Sequence, residues 1–515
     1  MDKKLHILQI GRERWESRNE DGLIWYYINV CDDVDVQQEK LHVVLNANED
    51  NEEENHQEKI TSFDVVIISE LGTNFDFSYL QQYIEPYTIL VNQELSDTII
   101  NHFPIFKYLF VHYIDMQDIT SVIATVKKDF FIGQNGTKLH VKNIVVNHVD
   151  NCSIYYNGNN YVEISEINQS DYVQLLYWKY NIGLGSDATT DLWLEYDADN
   201  QIDLRLVLHF IDSAGEVIRR TFTQTEMAHN INVNVEQFTY LAASIEVKGQ
   251  GTIKVGPLHY RKSREQYGEM LLGGQVSRDS QRNEFFYYFN PGDLQPPLNV
   301  YFSGYRTAEG FEGYWMMKNL GKPFLLISDP RLEGGCFYVG SSEYEQKIEH
   351  VIQTYLDLLS FSTKQLVISG LSMGTYGAIY YGARLEARAI VVGKPLINLG
   401  DIARNVPLHR PEAFETSLDL VNKFIDQGEE RYEKLNNKIV PYLEKAKFPE
   451  DSTIAIAYMM QDDYDSQAYF DLLNYLSEKE INIISKGLVG RHNDNSPGIN
   501  QWFFAQLKRL NISIG

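Results

Sequence analysis

The pentapeptide Gly370-Leu-Ser-Met-Gly374 joins the apolar run Gln365-Leu-Val-Ile-Ser to a stretch rich in small residues. A strand that turns at once into a helix sets the central serine on strained backbone and presents its hydroxyl at the strand's end. The flanking glycines let the two backbones approach, and Gly377 and Ala378 extend the small face that close helix-sheet packing needs. Ser372 is therefore the expected nucleophile for acyl chemistry, heading a helix that runs through Ala383.

A serine hydroxyl is a weak nucleophile at neutral pH and needs a base, which an acid must orient. With this kind of turn, the chain order is serine, acid, histidine. Two histidines follow Ser372. His492 comes directly after the apolar run Ile481–Val489, on a loop of Gly, Asn and Asp ahead of a helix starting near Pro497, and is the expected base. His409 lies between Pro407 and Pro411 in an inserted segment and reads as a lid or surface residue. The strand Thr453-Ile-Ala-Ile-Ala-Tyr-Met-Met delivers Asp462, Asp463 and Asp465 onto its following loop. Asp462 is the expected acid and Asp463 the alternative; the remaining carboxylates are expected to cap a helix starting near Ser466.

Acyl transfer also requires donors for the tetrahedral oxyanion, each worth about 3–4 kcal/mol of transition-state stabilisation. One should be the backbone N–H of Met373, next after the nucleophile. The other should come from the loop Ser303-Gly-Tyr-Arg, through the N–H of Gly304 or Tyr305. Arg306 reads either as a contact for an anionic acyl donor or as an ordinary surface charge.

These residues require a sheet whose strand ends converge. In residues 263–515, strand-like runs such as Asn299-Val-Tyr-Phe-Ser-Gly and Pro323-Phe-Leu-Leu-Ile-Ser alternate with helical patterns. Ser342 and Glu345 have the spacing of a capping box, and Ile348, Val351, Ile352, Tyr355 and Leu359 follow on one helical face to about Ser360. This region is the expected α/β-hydrolase domain, with a lid-like insertion at about 396–450. Residues 136–262 change to period-two alternation punctuated by Asn-Gly and Gly-Gln-Gly turns, which predicts an all-β sandwich. Its Tyr155, Tyr156, Tyr161 and Trp178 read either as sugar-stacking rings or as packing residues. Residues 1–135 carry short apolar runs at His6–Gly11, Asp64–Ser69, Tyr87–Val91 and Tyr108–His112, which predict a small parallel α/β unit. The acidic, Asn-rich stretch from Ala47 to Lys59 reads as a solvated loop.

At 515 residues the chain has material for about three domains. A formal net charge of -26 sets it against nucleic acid and anionic lipid as partners. Cys31, Cys152 and Cys336 lack any C-x-x-C spacing and read as free thiols serving as small core hydrophobes in a reducing compartment. The start Met-Asp-Lys-Lys-Leu-His leads into too short an apolar run for a signal peptide, and no stretch approaches the roughly 18 apolar residues of a membrane span, so a cytoplasmic protein is expected. Neither a P-loop, H-E-x-x-H, a Cys-His cluster nor a G-x-G-x-x-G after the first strand is present, so no nucleotide cofactor and no metal is assigned.

In Gly370-Leu-Ser-Met-Gly-Thr-Tyr-Gly-Ala, Gly490-Arg-His-Asn-Asp-Asn-Ser and the opening Ile7-Leu-Gln-Ile-Gly, the chain resembles the second accessory secretory protein family of the accessory Sec system, over essentially its whole length. That system exports serine-rich repeat adhesins in streptococci and staphylococci. The resemblance implies a cytoplasmic component, peripheral at the membrane's cytoplasmic face, that works with the other accessory secretory proteins and the accessory Sec motor ATPase. It also implies O-acetylation of N-acetylglucosamine on the glycosylated adhesin, with acetyl-CoA as a candidate acyl donor and co-substrate. By position the family's triad falls on Ser372, Asp462 and His492, and the β-rich region is similar to a carbohydrate-binding module.

Three functional readings stand at this point. One is a serine-dependent O-acetyltransferase with a separate role in export. The second is a carbohydrate esterase or peptidase on the same fold. The third is a catalytically dispensable export adaptor.

Overall fold

The computed structural model describes residues 4–15, 22–46, 61–72, 75–96, 105–148, 151–185, 189–234, 238–409, 417–425, 428 and 430–514. The stretch from Ala47 to Lys59 lies outside them. The chain divides into two compact units, one of residues 1–133 with 264–273 and one of residues 134–263 with 274–515.

The first unit is built on five parallel strands, in the order Leu23–Asn29, Leu5–Gly11, Val65–Ile68, Ile89–Asn92 and His112–Ile114. Alternate residues of the central strands feed opposite faces, as a sheet covered on both sides requires. Ile7, Val65, Ile67 and Leu90 pack with Val122, Val126 and Phe130 on one face. Leu8, Ile10, Val66, Ile68 and Val91 pack with Phe77 and Phe106 on the other. Two expectations need correction. Tyr108–His112 is not a strand: Phe106–Leu109 forms a helical turn that ends at Phe110 in the left-handed conformation, and extended structure begins only at His112. The half-buried strand Leu23–Asn29 also escaped the sequence reading, because its unbroken aromatic and aliphatic run has no period-two signature.

In the second unit, residues 136–262 form ten antiparallel strands around one apolar core. The 25-residue strand Phe238–Lys262 pairs with five of the others and joins all ten into one hydrogen-bonded network. Trp178 is buried in that core at 2% exposure, which rules out its stacking on an external ligand. Tyr155 and Tyr156 are exposed, and Tyr161 is half-buried.

The remainder builds an eight-stranded sheet: β1 (Gln275–Arg278), β2 (Glu284–Asn290), β3 (Leu298–Phe302), β4 (Phe324–Ser328), β5 (Leu366–Leu371), β6 (Ala389–Gly393), β7 (Thr453–Met459) and β8 (Asn482–Leu488). The spatial order is β1-β2-β4-β3-β5-β6-β7-β8, with β2 antiparallel to its neighbours and every pair from β4 onward parallel. The strands β2 to β7 are nearly wholly buried. The helix Ser342–Leu359 packs Ile348, Ile352 and Leu356 inward, at the expected spacing. Its cap is one residue earlier than expected: the Ser341 hydroxyl accepts from the Tyr344 N–H at 3.1 Å, while the Glu345 carboxylate accepts from Gly340 N–H. Only Cys336 is a buried thiol; Cys31 is exposed and Cys152 half-buried, which corrects the expectation of three core cysteines.

Buried charges tie the ten-stranded sheet to the eight-stranded one. From the strand Phe238–Lys262, His259 meets Glu309 through Nδ1 at 2.6 Å and Glu195 through Nε2 at 3.0 Å. Arg261 pairs with Glu284 and, at 2.6 Å, with Glu309. Burial pushes the His259 pKa down, but Glu309 and Glu195 outweigh it and the net shift is upward. Ionised, fixed carboxylates beside a buried imidazole favour its charged form against the cost of burial.

Candidate active site

The site lies at the carboxyl ends of β5, β7 and β8, where loops leave the sheet. Ser372 separates β5 from the helix Met373–Arg384 and has φ 50° and ψ -120°, a conformation costly for a residue with a side chain. The surrounding glycines make it attainable. A Cβ on Gly370 would stand 2.3 Å from the Gly374 carbonyl oxygen, and one on Gly374 would stand 2.1 Å from that of Phe302. The Ser372 N–H donates to the Gly393 carbonyl at 2.9 Å, and its own carbonyl accepts from the Thr375 N–H and hydroxyl. Thr375 Oγ1 in turn accepts from Leu396 N–H at 3.0 Å, so the turn is clamped to the end of β6.

His492 comes 120 residues later, yet its Nε2 is 2.8 Å from Ser372 Oγ. Its Nδ1 is 2.8 Å from Asp462 Oδ2. The imidazole is 3% exposed and the Asp462 side chain 6%, and the ring of Tyr464 meets the His492 ring edge-on at 4.4 Å between centroids. Asp462 Oδ1 accepts from the backbone N–H groups of Tyr464 and Asp465, at 2.9 and 3.1 Å, which fixes the carboxylate's direction. Asp463 takes another position: its Oδ1 accepts the His492 backbone N–H at 3.0 Å, so it anchors the histidine loop and Asp462 holds the ring. Asp465 does not cap the following helix. Its carboxylate accepts from the N–H groups of Ile397 and Asn398 and the Asn398 amide, tying the loop after β6 to the one after β7. That correction has a simple cause: the helix starts at Ala468, a turn too late for Asp465 to reach its first N–H groups by side chain.

His409 ends the helix Leu399–His409, and its side chain lies outside the described residues. Met373 is the first residue of the helix Met373–Arg384, where a backbone N–H has no partner within the helix. The Gly304 N–H is engaged: it donates to the Glu312 carboxylate at 2.7 Å. Glu312 also accepts from the Tyr301 hydroxyl at 3.3 Å, and its N–H donates to Ser303 Oγ. Gly304 can receive an oxyanion only after that carboxylate leaves. Tyr305 follows on the same loop, with its ring against Gly334. Arg306 folds back on its own loop, donating to the carbonyls of Phe311 at 2.7 Å and Ala308 at 3.4 Å.

Glu312 and the buried Lys394 escaped the sequence reading. Lys394 Nζ donates to Ser496 Oγ at 2.9 Å; burial pushes its pKa down, while Asp462 and Asp494 pull against that shift. No local motif marks either residue: Glu312 reaches back to Gly304 across its own loop, and Lys394 meets Ser496 only through the fold.

Among the described residues, one cluster has the donor spacing of a cation site. His259, Glu284 and Glu309 bring donor atoms within 4.8 Å of one another. Arg261 already pairs with both carboxylates and Lys138 lies 3.7 Å from Glu309, so side-chain cations neutralise the cluster.

Fold and site together define a mixed α/β protein of several sheets in which a serine hydroxyl, an imidazole and a carboxylate form one hydrogen-bonded chain. The chain belongs to the Asp2 family, described as the accessory Sec system GspB-transporter, which matches residues 5–512. It is 39% identical over 510 residues to the accessory Sec system protein Asp2 of Streptococcus gordonii, covering 98% of this chain and 97% of that one. The corresponding figures for the Staphylococcus aureus protein of the same name are 37% over 517 residues, 98% and 96%. A chain of the glycosylation-associated Gap123 complex from Streptococcus agalactiae is 37% identical, with a TM-score of 0.86, over 99% of this chain and 98% of that chain. Among the described residues, no helix is long and apolar enough to cross a membrane.

Proposed function

We propose that this protein is a serine-dependent O-acetyltransferase of α/β-hydrolase type that acetylates N-acetylglucosamine on serine-rich repeat glycoproteins and also supports their export. The observation that carries this reading is the unbroken chain from Ser372 Oγ through His492 to Asp462, set on a strained serine turn. The strand order 1-2-4-3-5-6-7-8 with only the second strand reversed supports the fold assignment.

In the first half-reaction, Ser372 Oγ attacks the acyl carbonyl of a donor such as acetyl-CoA as His492 Nε2 takes the hydroxyl proton. Asp462 holds the ring with Nε2 toward the serine and stabilises the imidazolium. The tetrahedral intermediate collapses, the carbon–sulfur bond breaks, and the leaving thiolate receives that proton from His492. In the second, a sugar hydroxyl gives its proton to His492 and attacks the acyl-serine, and Ser372 recovers the proton on departure. Water in place of the sugar would make the same machinery an esterase; exclusion of water decides between them.

Family membership supports the rest of the reading: action with the other accessory secretory proteins and the accessory Sec motor ATPase at the cytoplasmic face of the membrane. One observation favours the reading of a catalytically dispensable adaptor, namely the Gly304 N–H already filled by Glu312. Ser372→Ala separates the two. Loss of glycan acetylation with export and complex formation retained is expected; normal acetylation in that variant would defeat the enzymatic reading.

A further inference from the structure

Glu312 sits where an acyl carbonyl oxygen would seek its donor. Its Oε2 accepts the Gly304 N–H at 2.7 Å and the Tyr301 hydroxyl at 3.3 Å. The loop that carries Gly304 flanks the serine turn on both sides: a Cβ on Gly304 would stand 3.3 Å from the Leu371 carbonyl oxygen, and one on Gly374 would stand 3.1 Å from that of Ser303. A carboxylate in this position takes up a donor suited to the oxyanion and sets a second negative charge beside it, so it opposes acylation in two ways.

The fold builds that position. Gln134 clasps the preceding residue, accepting the Phe311 N–H at 2.6 Å and donating to the Phe311 carbonyl at 3.1 Å. A Cβ on Gly310 would stand 2.5 Å from Gln134 Oε1, so the clasp requires glycine there. The Glu312 N–H then donates to Ser303 Oγ at 3.1 Å.

The carboxylate's own set of partners is incomplete. Both bonds go to Oε2, while Oε1 accepts from no described residue and no described Lys or Arg pairs with the group. Arg306, on the same loop, is turned to the carbonyls of Phe311 and Ala308. A carboxylate has about four lone-pair sites, so this one can take further donors, and Glu312 is half-buried rather than enclosed. A ligand with two neighbouring donors can engage both oxygens at once, which draws Oε2 off Gly304. A single water fills Oε1 and leaves Oε2 where it is.

We propose that Glu312 couples acylation of Ser372 to the acceptor: neighbouring donors of a sugar, two hydroxyls or a hydroxyl and an amide N–H, draw its carboxylate off Gly304 and complete the oxyanion site. The proposal rests on the acetyltransferase reading. It gives transfer an advantage over hydrolysis, because the acyl-serine forms slowly until a sugar is in place. Glu312 changes hydrogen-bond partners only, and protons still move through His492.

The test is stopped-flow acylation of the full-length protein by p-nitrophenyl acetate, with N-acetylglucosamine or methanol added, and mass spectrometry of the products. In wild type, N-acetylglucosamine should raise the burst rate about tenfold, and methanol, with one hydroxyl, should leave it unchanged. Glu312→Ala should acylate about tenfold faster without sugar, gain nothing from sugar and release mostly acetate. If the alanine variant lowers the thermal midpoint, Glu312→Gln carries the test, since its amide oxygen can still accept from Gly304 and Tyr301. Its burst should be faster than that of wild type and its response to sugar smaller. An unchanged burst rate with sugar in wild type, an equal rise with methanol, or a rise that persists in Glu312→Ala would each overturn the proposal. No burst in any variant would overturn the acyl-transfer reading itself, and this proposal with it.

Discussion

Replacing Asp462 by asparagine tests which carboxylate serves the imidazole. As the serine loses its proton, a positive charge forms on His492, a residue 3% exposed, with Asp462 Oδ2 2.8 Å from Nδ1. For charge centres about 4 Å apart at an effective dielectric constant near 20, the attraction is about 4 kcal/mol. A neutral amide forfeits most of it, which corresponds to a rate loss of about a thousandfold. The amide also offers an NH₂ donor to Nδ1, a pairing that puts the ring proton on Nε2, where it cannot accept from Ser372. Asp463→Asn should behave differently, because the amide oxygen can still accept the His492 backbone N–H now bonded at 3.0 Å. A loss within about tenfold is expected there. The assay is kcat/KM for hydrolysis of an activated acetyl ester by folded protein, with thermal midpoints as the control for stability. Equal losses in the two variants, or a larger loss for Asp463→Asn, would refute the assignment of Asp462 to the ring.

Three further outcomes follow from the geometry. Gly374→Ala drives a Cβ to 2.1 Å from the Phe302 carbonyl oxygen, so calorimetry should show a destabilisation of about 1–3 kcal/mol together with lost esterase activity; an unchanged midpoint would contradict the tight packing behind the serine turn. Glu312→Ala empties the acceptor on Gly304 N–H and should speed acylation of Ser372 by about tenfold in stopped-flow measurements; slower acylation would make Glu312 a support of the loop rather than an obstacle. For His259 the folded pKa is raised, so its charged form contributes stability below the ordinary value of about 6.5 and that contribution fades as pH rises through the folded value. The midpoint gap between wild type and His259→Gln should therefore be widest near pH 6 (~6) and shrink at higher pH; a gap that widens with pH would reverse the sign.

Local sequence carried the parts of the site that local chemistry dictates. A strand, a Gly-x-Ser-x-Gly turn and a helix of small residues are legible at Ser372 because the strained turn demands those residue types. His492 and Asp462 are legible by position, each on a loop just after a strand, and the structure brings both into one hydrogen-bonded chain with Ser372. What stayed hidden depends on contacts distant in the chain. Asp463 and Asp465 are neighbours of Asp462 with different partners, the His492 backbone and the Ile397–Asn398 loop, and no spacing rule separates them. Gly304 was a sound expectation for a donor, but Glu312 reaches it through a loop whose path only the fold reveals. Trp178 illustrates the same limit, since a tryptophan in an alternating strand faces core or solvent according to register, and here it faces the core. The short strand His112–Ile114 was misplaced because Phe110 turns the chain in a left-handed conformation normally left to glycine or asparagine.

The central claim is that a buried imidazole, held by Asp462, makes the hydroxyl of residue 372 reactive. The most direct measurement is labelling of the full-length protein with a serine-reactive phosphonate, read by peptide mass spectrometry in wild type and in His492→Ala. A single adduct on Ser372, lost or slowed at least a hundredfold (~10²) without the imidazole, is the predicted result. Folded wild-type protein that leaves Ser372 unmodified, or labelling that ignores His492, would contradict it.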